Sequence, residues 1–207
     1  NQTQTYLQHS EKVLNDELTC ERDNIYESSS YLVYNTGICL INCTFQNIRS
    51  NPSSSALYIL PNEMSTQKYI IANCTFRNCF ANNGGAVFIY GQTNSLTDFS
   101  NCFFFQNSCM NNGGAVYVSK SNVTFSNCSF RENFAMLNGS TTSSSSCLGG
   151  SLFFDRSNGT LTNCDFYENG ILNGVSTKSY GGAVFIIDSN RDFIDCTFYD
   201  CYVYNIN

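Results

Sequence analysis

Hydrophobic and polar positions alternate with a period of two in a short phrase that returns along the chain. Its copies are Asn42-Cys43-Thr44-Phe45, Asn73-Cys74-Thr75-Phe76, Asn101-Cys102-Phe103-Phe104, Asn127-Cys128-Ser129-Phe130, Asn163-Cys164-Asp165-Phe166 and Asp195-Cys196-Thr197-Phe198. With Cys and Phe pointing one way and Asn and Thr or Ser the other, each copy predicts a half-buried strand. A second phrase interleaves with the first: Gly84-Gly85-Ala86-Val87-Phe88, Gly113-Gly114-Ala115-Val116-Tyr117, Gly149-Gly150-Ser151-Leu152-Phe153 and Gly181-Gly182-Ala183-Val184-Phe185, with Ser54-Ser55-Ala56-Leu57-Tyr58 as a degenerate copy. Both phrases are rich in aromatic and β-branched residues and are bounded by Gly, Asn and Ser, while helical spacing is not evident.

The Cys of the six copies lie 31, 28, 26, 36 and 32 residues apart, inside the roughly 20 to 50 residue periods of stacked-repeat architectures. Each repeat therefore predicts one strand-turn-strand rung. Parallel stacking at a spacing of about 4.8 Å places equivalent side chains above one another, which builds Cys and Phe columns inside and an Asn column on a face. The expected fold is all-β, a parallel β-helix (β-solenoid) of about six rungs over residues 31–207. An irregular N-terminal cap or arm is expected over residues 1–30, which contain His9, the single His, and neither phrase. Residues 138–147 and 170–179 read as surface loops that lengthen rungs at one corner.

Gly-Gly-Ala followed by Val, together with the Phe-x-x-Asn of Phe104 to Asn107, Phe130 to Asn133 and Phe166 to Asn169, resembles the polymorphic membrane protein repeat best known from chlamydial surface proteins. The resemblance covers roughly residues 54–202. It implies a right-handed parallel β-helix displayed on a cell surface as an adhesin passenger, and similar repeats occur in large surface proteins of unicellular eukaryotes. The chain departs from the pattern twice. Phe45 and Phe76 are followed by Asn47 and Asn78, one residue early, and no membrane-barrel segment follows Asn207, so autotransport is not expected.

Composition narrows the classes. Of 207 residues, 42% are hydrophobic and 13% charged, against roughly 25% charged in an average soluble domain, so polarity rests on Asn, Ser, Thr and Gly. Charge-driven disorder is excluded. The net charge of -6 opposes attraction to phosphate backbones, so no nucleic-acid partner is expected. No apolar run approaches the ~18 to 20 residues of a spanning helix, so no membrane insertion is expected either. Twelve Cys and seven Asn-x-Ser/Thr sequons, at Asn1, Asn42, Asn73, Asn122, Asn127, Asn138 and Asn158, point to an oxidising secretory route and an extracellular or cell-surface glycoprotein. Asn42, Asn73 and Asn127 open the first phrase at outward positions, where glycans project without disturbing the core. The competing reading is a hydrogen-bonded Asn ladder, and Asn101 and Asn163, which lack the acceptor residue, must serve in that way.

Cys43, Cys74, Cys102, Cys128, Cys164 and Cys196 are expected in one inward column, with Cys20, Cys39, Cys79, Cys109, Cys147 and Cys201 at less regular places. The spacings are not the short Cys-x2-Cys kind, so structural sulfur is favoured over metal, and no cofactor is expected. Neighbouring rungs lie within disulfide range. Most of the twelve are therefore expected to be bonded, Cys79 with Cys109 being one pairing considered.

Parallel β-helices also host polysaccharide lyases and hydrolases. No Gly-His-Gly and no Asp-Asp pair occurs. The densest polar cluster, Asp188, Asp192 and Asp195 with Arg191, and Asp155 with Arg156 one rung below, reads better as solvated turns than as an acid and base pair. Phe103 and Phe105 flank inward Phe104 and are the best single interface residues. The sequence thus favours a non-enzymatic structural or adhesive element with no catalytic residues, self-associating end to end into filaments and meeting a cell surface or glycan. A polysaccharide-cleaving enzyme and a carbohydrate-binding module are the alternatives.

Overall fold

A computed structural model describes residues 7–8, 19–34, 37–49, 55–60, 67–91, 96–137, 146–174 and 179–206. Every strand pairing among them is parallel, and in-register repeats stack into three seven-stranded sheets, a five-stranded sheet and a two-stranded extension. The chain visits the sheets in turn. The first runs from Leu7–Gln8 to Val184–Ile187, the second from Cys20–Arg22 to Asn190–Ile194 and the third from Ile25–Glu27 to Thr197–Tyr199. The fourth joins from the third turn onward, from Phe80–Ala81 to Tyr202–Ile206. The result is a parallel β-helix.

The first phrase is the corner into the third sheet. Asn42, Asn73, Asn101, Asn127, Asn163 and Asp195 all have positive φ, between 51° and 56°, a region that Asn and Asp tolerate better than other non-Gly residues. The following Cys and Phe turn inward and are buried in every copy up to Phe166. The Gly-Gly phrase is a second corner with a different need. Gly113 has a φ of 67°, and a side chain on Gly114 would meet the Gly150 carbonyl at 2.1 Å, so the first glycine supplies the dihedral and the second the close approach of successive turns.

Inside, one ring column runs the length of the molecule. Tyr26, Phe45, Phe76, Phe104, Phe130, Phe166 and Phe198 stack with centroids 4.5, 4.8, 4.9, 4.6, 4.8 and 4.6 Å apart. The Asn of Phe-x-x-Asn is also inside. Asn107, Asn133 and Asn169 are fully buried, and each donates its amide to the Phe carbonyl of the turn before, at 2.9, 3.0 and 2.8 Å. The Asn133 Oδ1 accepts from the Asn107 backbone N–H and Nδ2, and the Asn169 Oδ1 does the same for Asn133. A buried primary amide is costly unless satisfied in this manner.

The described residues form seven turns, one more than the six copies of the phrase. The extra one is the first, where Asp23-Asn24-Ile25-Tyr26 occupies the phrase position: Ile25 and Tyr26 pair with Thr44 and Phe45, and Asp23 takes the corner with a φ of 57°. The solenoid accordingly reaches back into the segment expected to be a cap, to Cys20–Arg22 in the second sheet and Leu7–Gln8 in the first, because Tyr can replace Phe in the column and Asp can replace Asn at the corner. A second correction concerns residues 170–179. Gly170–Gly174 is a strand of the fourth sheet and Ser179–Tyr180 pairs with Cys147–Leu148, so part of this stretch continues the ladders. Residues 138–145 and 175–178 lie outside the described residues.

Candidate functional site

The two ends of the solenoid are chemically unlike. At the head, the inward Glu21 carboxylate accepts hydrogen bonds from the hydroxyls of Tyr26 and Tyr31 and, at 3.5 Å, from Asn24 Nδ2. The Tyr31 ring packs edge-on against Tyr26. Tyr26, the first ring of the column, is only 8% exposed. Burial, followed by the Glu21 carboxylate, raises both hydroxyl pKa values well above the usual tyrosine range.

At the foot the same column ends open. Phe198 is 48% exposed and Phe193 38% exposed. Together with Gly181, Ala183, Val184, Ile186 and Cys201 they line an open concavity of about 560 Å³. Beneath it lies Arg191, whose inward direction corrects its expected place among Asp188, Asp192 and Asp195. The period-two alternation of Asn190–Ile194 sends Arg191 and Phe193 in and Asp192 out. The Arg191 guanidinium sits 3.9 Å over the Phe154 ring and donates to the Val123 carbonyl at 2.6 Å. Its register partner is Gly159, where a side chain would meet the guanidinium at 2.5 Å. Nε and Nη2 are buried without a partner among the described residues, and desolvation lowers the arginine pKa.

Asp188 and Asp195 do not assemble a pair. Asp188 and Asp195 are exposed corner residues with φ of 48° and 52°, bracketing the strand Asn190–Ile194. Five strand residues separate them by on the order of 17 Å, against roughly 5 to 9.5 Å for glycosidase carboxylates. One turn earlier, Asp155 is bound by Arg156 at 2.8 Å, which holds its carboxyl below the usual range. Among the described residues no group of three or more His, Cys, Asp or Glu is placed to hold a metal ion. His9 lies outside the described residues.

Five sequon asparagines are described. Asn42, Asn73 and Asn127 follow the second-sheet strands Ile38–Ile41, Tyr69–Ala72 and Asn122–Ser126, while Asn122 and Asn158 open strands of that same sheet. Asn122 is half-buried and the other four are exposed. All five therefore border one face. Asn1 and Asn138 lie outside the described residues. The corner position also explains why Asn recurs without an acceptor at Asn101 and Asn163: the backbone needs it there, and Asn163 Nδ2 donates to Asn127 Oδ1 at 3.3 Å.

Aromatic residues are arranged as ladders on the outside too. Tyr58, Phe88, Tyr117 and Phe153 stack at 4.6, 4.8 and 4.9 Å along the first sheet, so each ring face is covered by its neighbour. Phe103 and Phe105 do point outward and are half-buried, with their rings 5.6 Å apart. Of the cysteines, Cys20 and Cys39 form a disulfide and the other ten described are thiols. Cys79 and Cys109 are not register partners, since Cys109 pairs with Ala81. A two-residue offset puts their Cα atoms about 8 Å apart, beyond the ~7 Å limit for a bridge. That pairing is therefore corrected.

A family model described as a right handed beta helix region matches residues 24–207. The chain belongs to the right-handed beta helix family. No curated protein and no solved structure matches the chain. Within this right-handed β-helix, the sequence phrases failed to reveal the inward Arg191 and the polar head. The alternation through Asn190–Ile194 was the available signal for Arg191. For the head there was only the occurrence of Tyr26 three residues after Asp23, as Phe45 follows Asn42. Among the described residues no helix is long and apolar enough to cross a membrane.

Proposed function

We propose that this β-helix is a secreted, glycosylated, non-enzymatic rod module, a structural or adhesive element of a cell surface or extracellular fibre. Its foot is where the next module of the rod stacks, either further turns of the same polypeptide or a neighbouring chain. The observation that carries this reading is the contrast between a polar, closed head and an apolar, open foot, because uncovered ends of a solenoid are ready templates for addition. The finer resemblance to adhesin repeats of the polymorphic membrane protein type belongs to the same reading. The sequons support it by gathering the glycan positions along the borders of the second sheet. The separation of Asp188 from Asp195 weighs against polysaccharide cleavage, and the covered ring faces weigh against a sugar-stacking platform.

The test is electron microscopy and sedimentation of the native, unreduced protein with and without Phe193→Asp and Phe198→Asp. Concentration-dependent end-to-end particles that the double variant abolishes are expected. Short isolated rods at high concentration, identical for both proteins, would remove the end-on reading. Unchanged peptide masses after enzymatic removal of N-glycans from secreted material would remove the glycoprotein reading. Turnover of an acidic polysaccharide, lost in Asp192→Asn, would replace both with an enzyme.

A further inference from the structure

The inward column of Cys43, Cys74, Cys102, Cys128, Cys164 and Cys196 repeats a geometry that this molecule already uses for a disulfide. Cys20 and Cys39 are register partners on adjacent parallel strands, with Cα atoms 4.4 Å apart, and they are bonded. The six column cysteines are likewise in register. Thr44, Thr75, Phe103, Ser129, Asp165 and Thr197, the residue after each, pair in unbroken succession. Each column carbonyl from Cys43 to Cys164 accepts the N–H of the residue following the next Cys, at 2.9 to 3.0 Å. Neighbouring Cα atoms then lie about 4.8 Å apart, inside the ~4.4 to 6.8 Å a disulfide requires. The thiols point along the column, since Cys74, Cys102, Cys128, Cys164 and Cys196 each reach a carbonyl of the preceding turn at 3.4 to 3.6 Å.

We infer that in the oxidised protein the column is closed by three disulfides, Cys43–Cys74, Cys102–Cys128 and Cys164–Cys196. Of the ways in which neighbours in a column of six can pair, only this one leaves no member over; the fully shifted alternative, Cys74–Cys102 and Cys128–Cys164, strands both end cysteines. Four cysteines remain as thiols. Cys79 and Cys201 occupy the Phe-x-x-Asn position in the third and seventh turns, too far apart to meet. Cys109 and Cys147 sit in a separate apolar cluster with Ala135 and Ile171, on no shared register.

Each bond forms by exchange with a disulfide oxidant such as oxidised glutathione. One column thiolate attacks the oxidant and releases one of its sulfurs as a thiol; the second column thiolate then displaces the other. The two cysteine thiol protons end on the two released sulfurs, so that the cysteine pair is oxidised by two electrons and the oxidant is reduced to two thiols. Burial opposes ionisation of the Cys102 thiol, so exchange belongs to the folding chain and not to the finished core.

The pairing rests on the secretory reading only for its oxidant in the cell, so refolding in vitro tests it separately. The protein is refolded with reduced and oxidised glutathione, alkylated unreduced in denaturant, cut with trypsin and mapped by mass spectrometry. The expected map has these three cross-links beside Cys20–Cys39, four in all, and four alkylated cysteines, Cys79, Cys109, Cys147 and Cys201. In Cys128→Ser the expected change is one new free thiol, at Cys102, with Cys164–Cys196 intact; release of Cys164 would establish the shifted pairing and overturn the inference. Six alkylated column cysteines in folded wild type would overturn it as well, and the wild-type map decides even if the variant fails to fold. If the map is as inferred while protein made in cells carries no glycan, the secretory reading alone has failed.

Discussion

The head and the foot of one ring column meet solvent in opposite ways. At the head a half-buried charge, Glu21, is met by two tyrosine hydroxyls and an amide, and the terminal ring is covered. At the foot a buried charge, Arg191, keeps one hydrogen bond to Val123 and a ring face, and the terminal ring stands half in water. The same stacking repeat therefore yields a covered ring at one end and an exposed one at the other. The difference lies in which polar groups have partners.

The contrast is most easily broken with the end rings. Tyr26→Ala is expected to cost about 3 to 5 kcal/mol, as for a buried aromatic, and Phe198→Ala less than about 1.5 kcal/mol in the isolated chain. Urea unfolding compares the two, and equal losses would mean that the foot is as closed as the head. A smaller effect of opposite sign is expected of Arg191→Met. Replacing an under-partnered buried charge by an apolar chain of similar length should stabilise by about 1 kcal/mol, read as a higher urea midpoint at pH 7, and the gain should vanish in any assembly that covers the foot.

The smallest effect concerns alkaline pH. An unfolded tyrosine ionises near ~10, whereas Tyr26 and Tyr31 hold their protons to higher pH in the fold. Between these limits the unfolded state binds fewer protons than the native state, so stability falls as pH rises above about 10. A Tyr26→Phe, Tyr31→Phe double variant removes both titrations. Its stability should decline less steeply from pH 10 to 12, as followed by urea midpoints, and an identical slope would remove the head from the account.

The sequence made the third sheet legible because Asn-Cys-x-Phe satisfies two demands at once, a left-handed corner and an inward pair. The entry to the first sheet was legible for a similar reason, since Gly113 and Gly114 have no substitutes at their corner. The second sheet left no phrase. Its inward positions accept Leu40, Ile71, Phe99, Phe125 and Leu161 interchangeably, and apolar identity there is free as long as volume is filled. The first turn escaped for the opposite reason. There the phrase is altered residue by residue to suit a polar end, so that Asn24 replaces Cys and Tyr26 replaces Phe. Phe-x-x-Asn was visible as a resemblance, but its role was not, because a buried primary amide is intelligible only once the turns that satisfy it are in place. Of the candidate site, the corner asparagines were legible and the direction of Arg191 was not.

The amide column bears on how such a molecule changes length. Among the described residues the Asn133 side chain exchanges hydrogen bonds only with Asn107, Asn169 and the Phe104 carbonyl, all in the turns directly before and after its own. A duplicated turn inserted between any two of these would present the same donors and acceptors on both faces and leave no amide orphaned. A partial turn would strand several. Growth or shrinkage by whole units is thus the change that the interior tolerates, and a ruler of this kind lengthens in steps of one strand spacing.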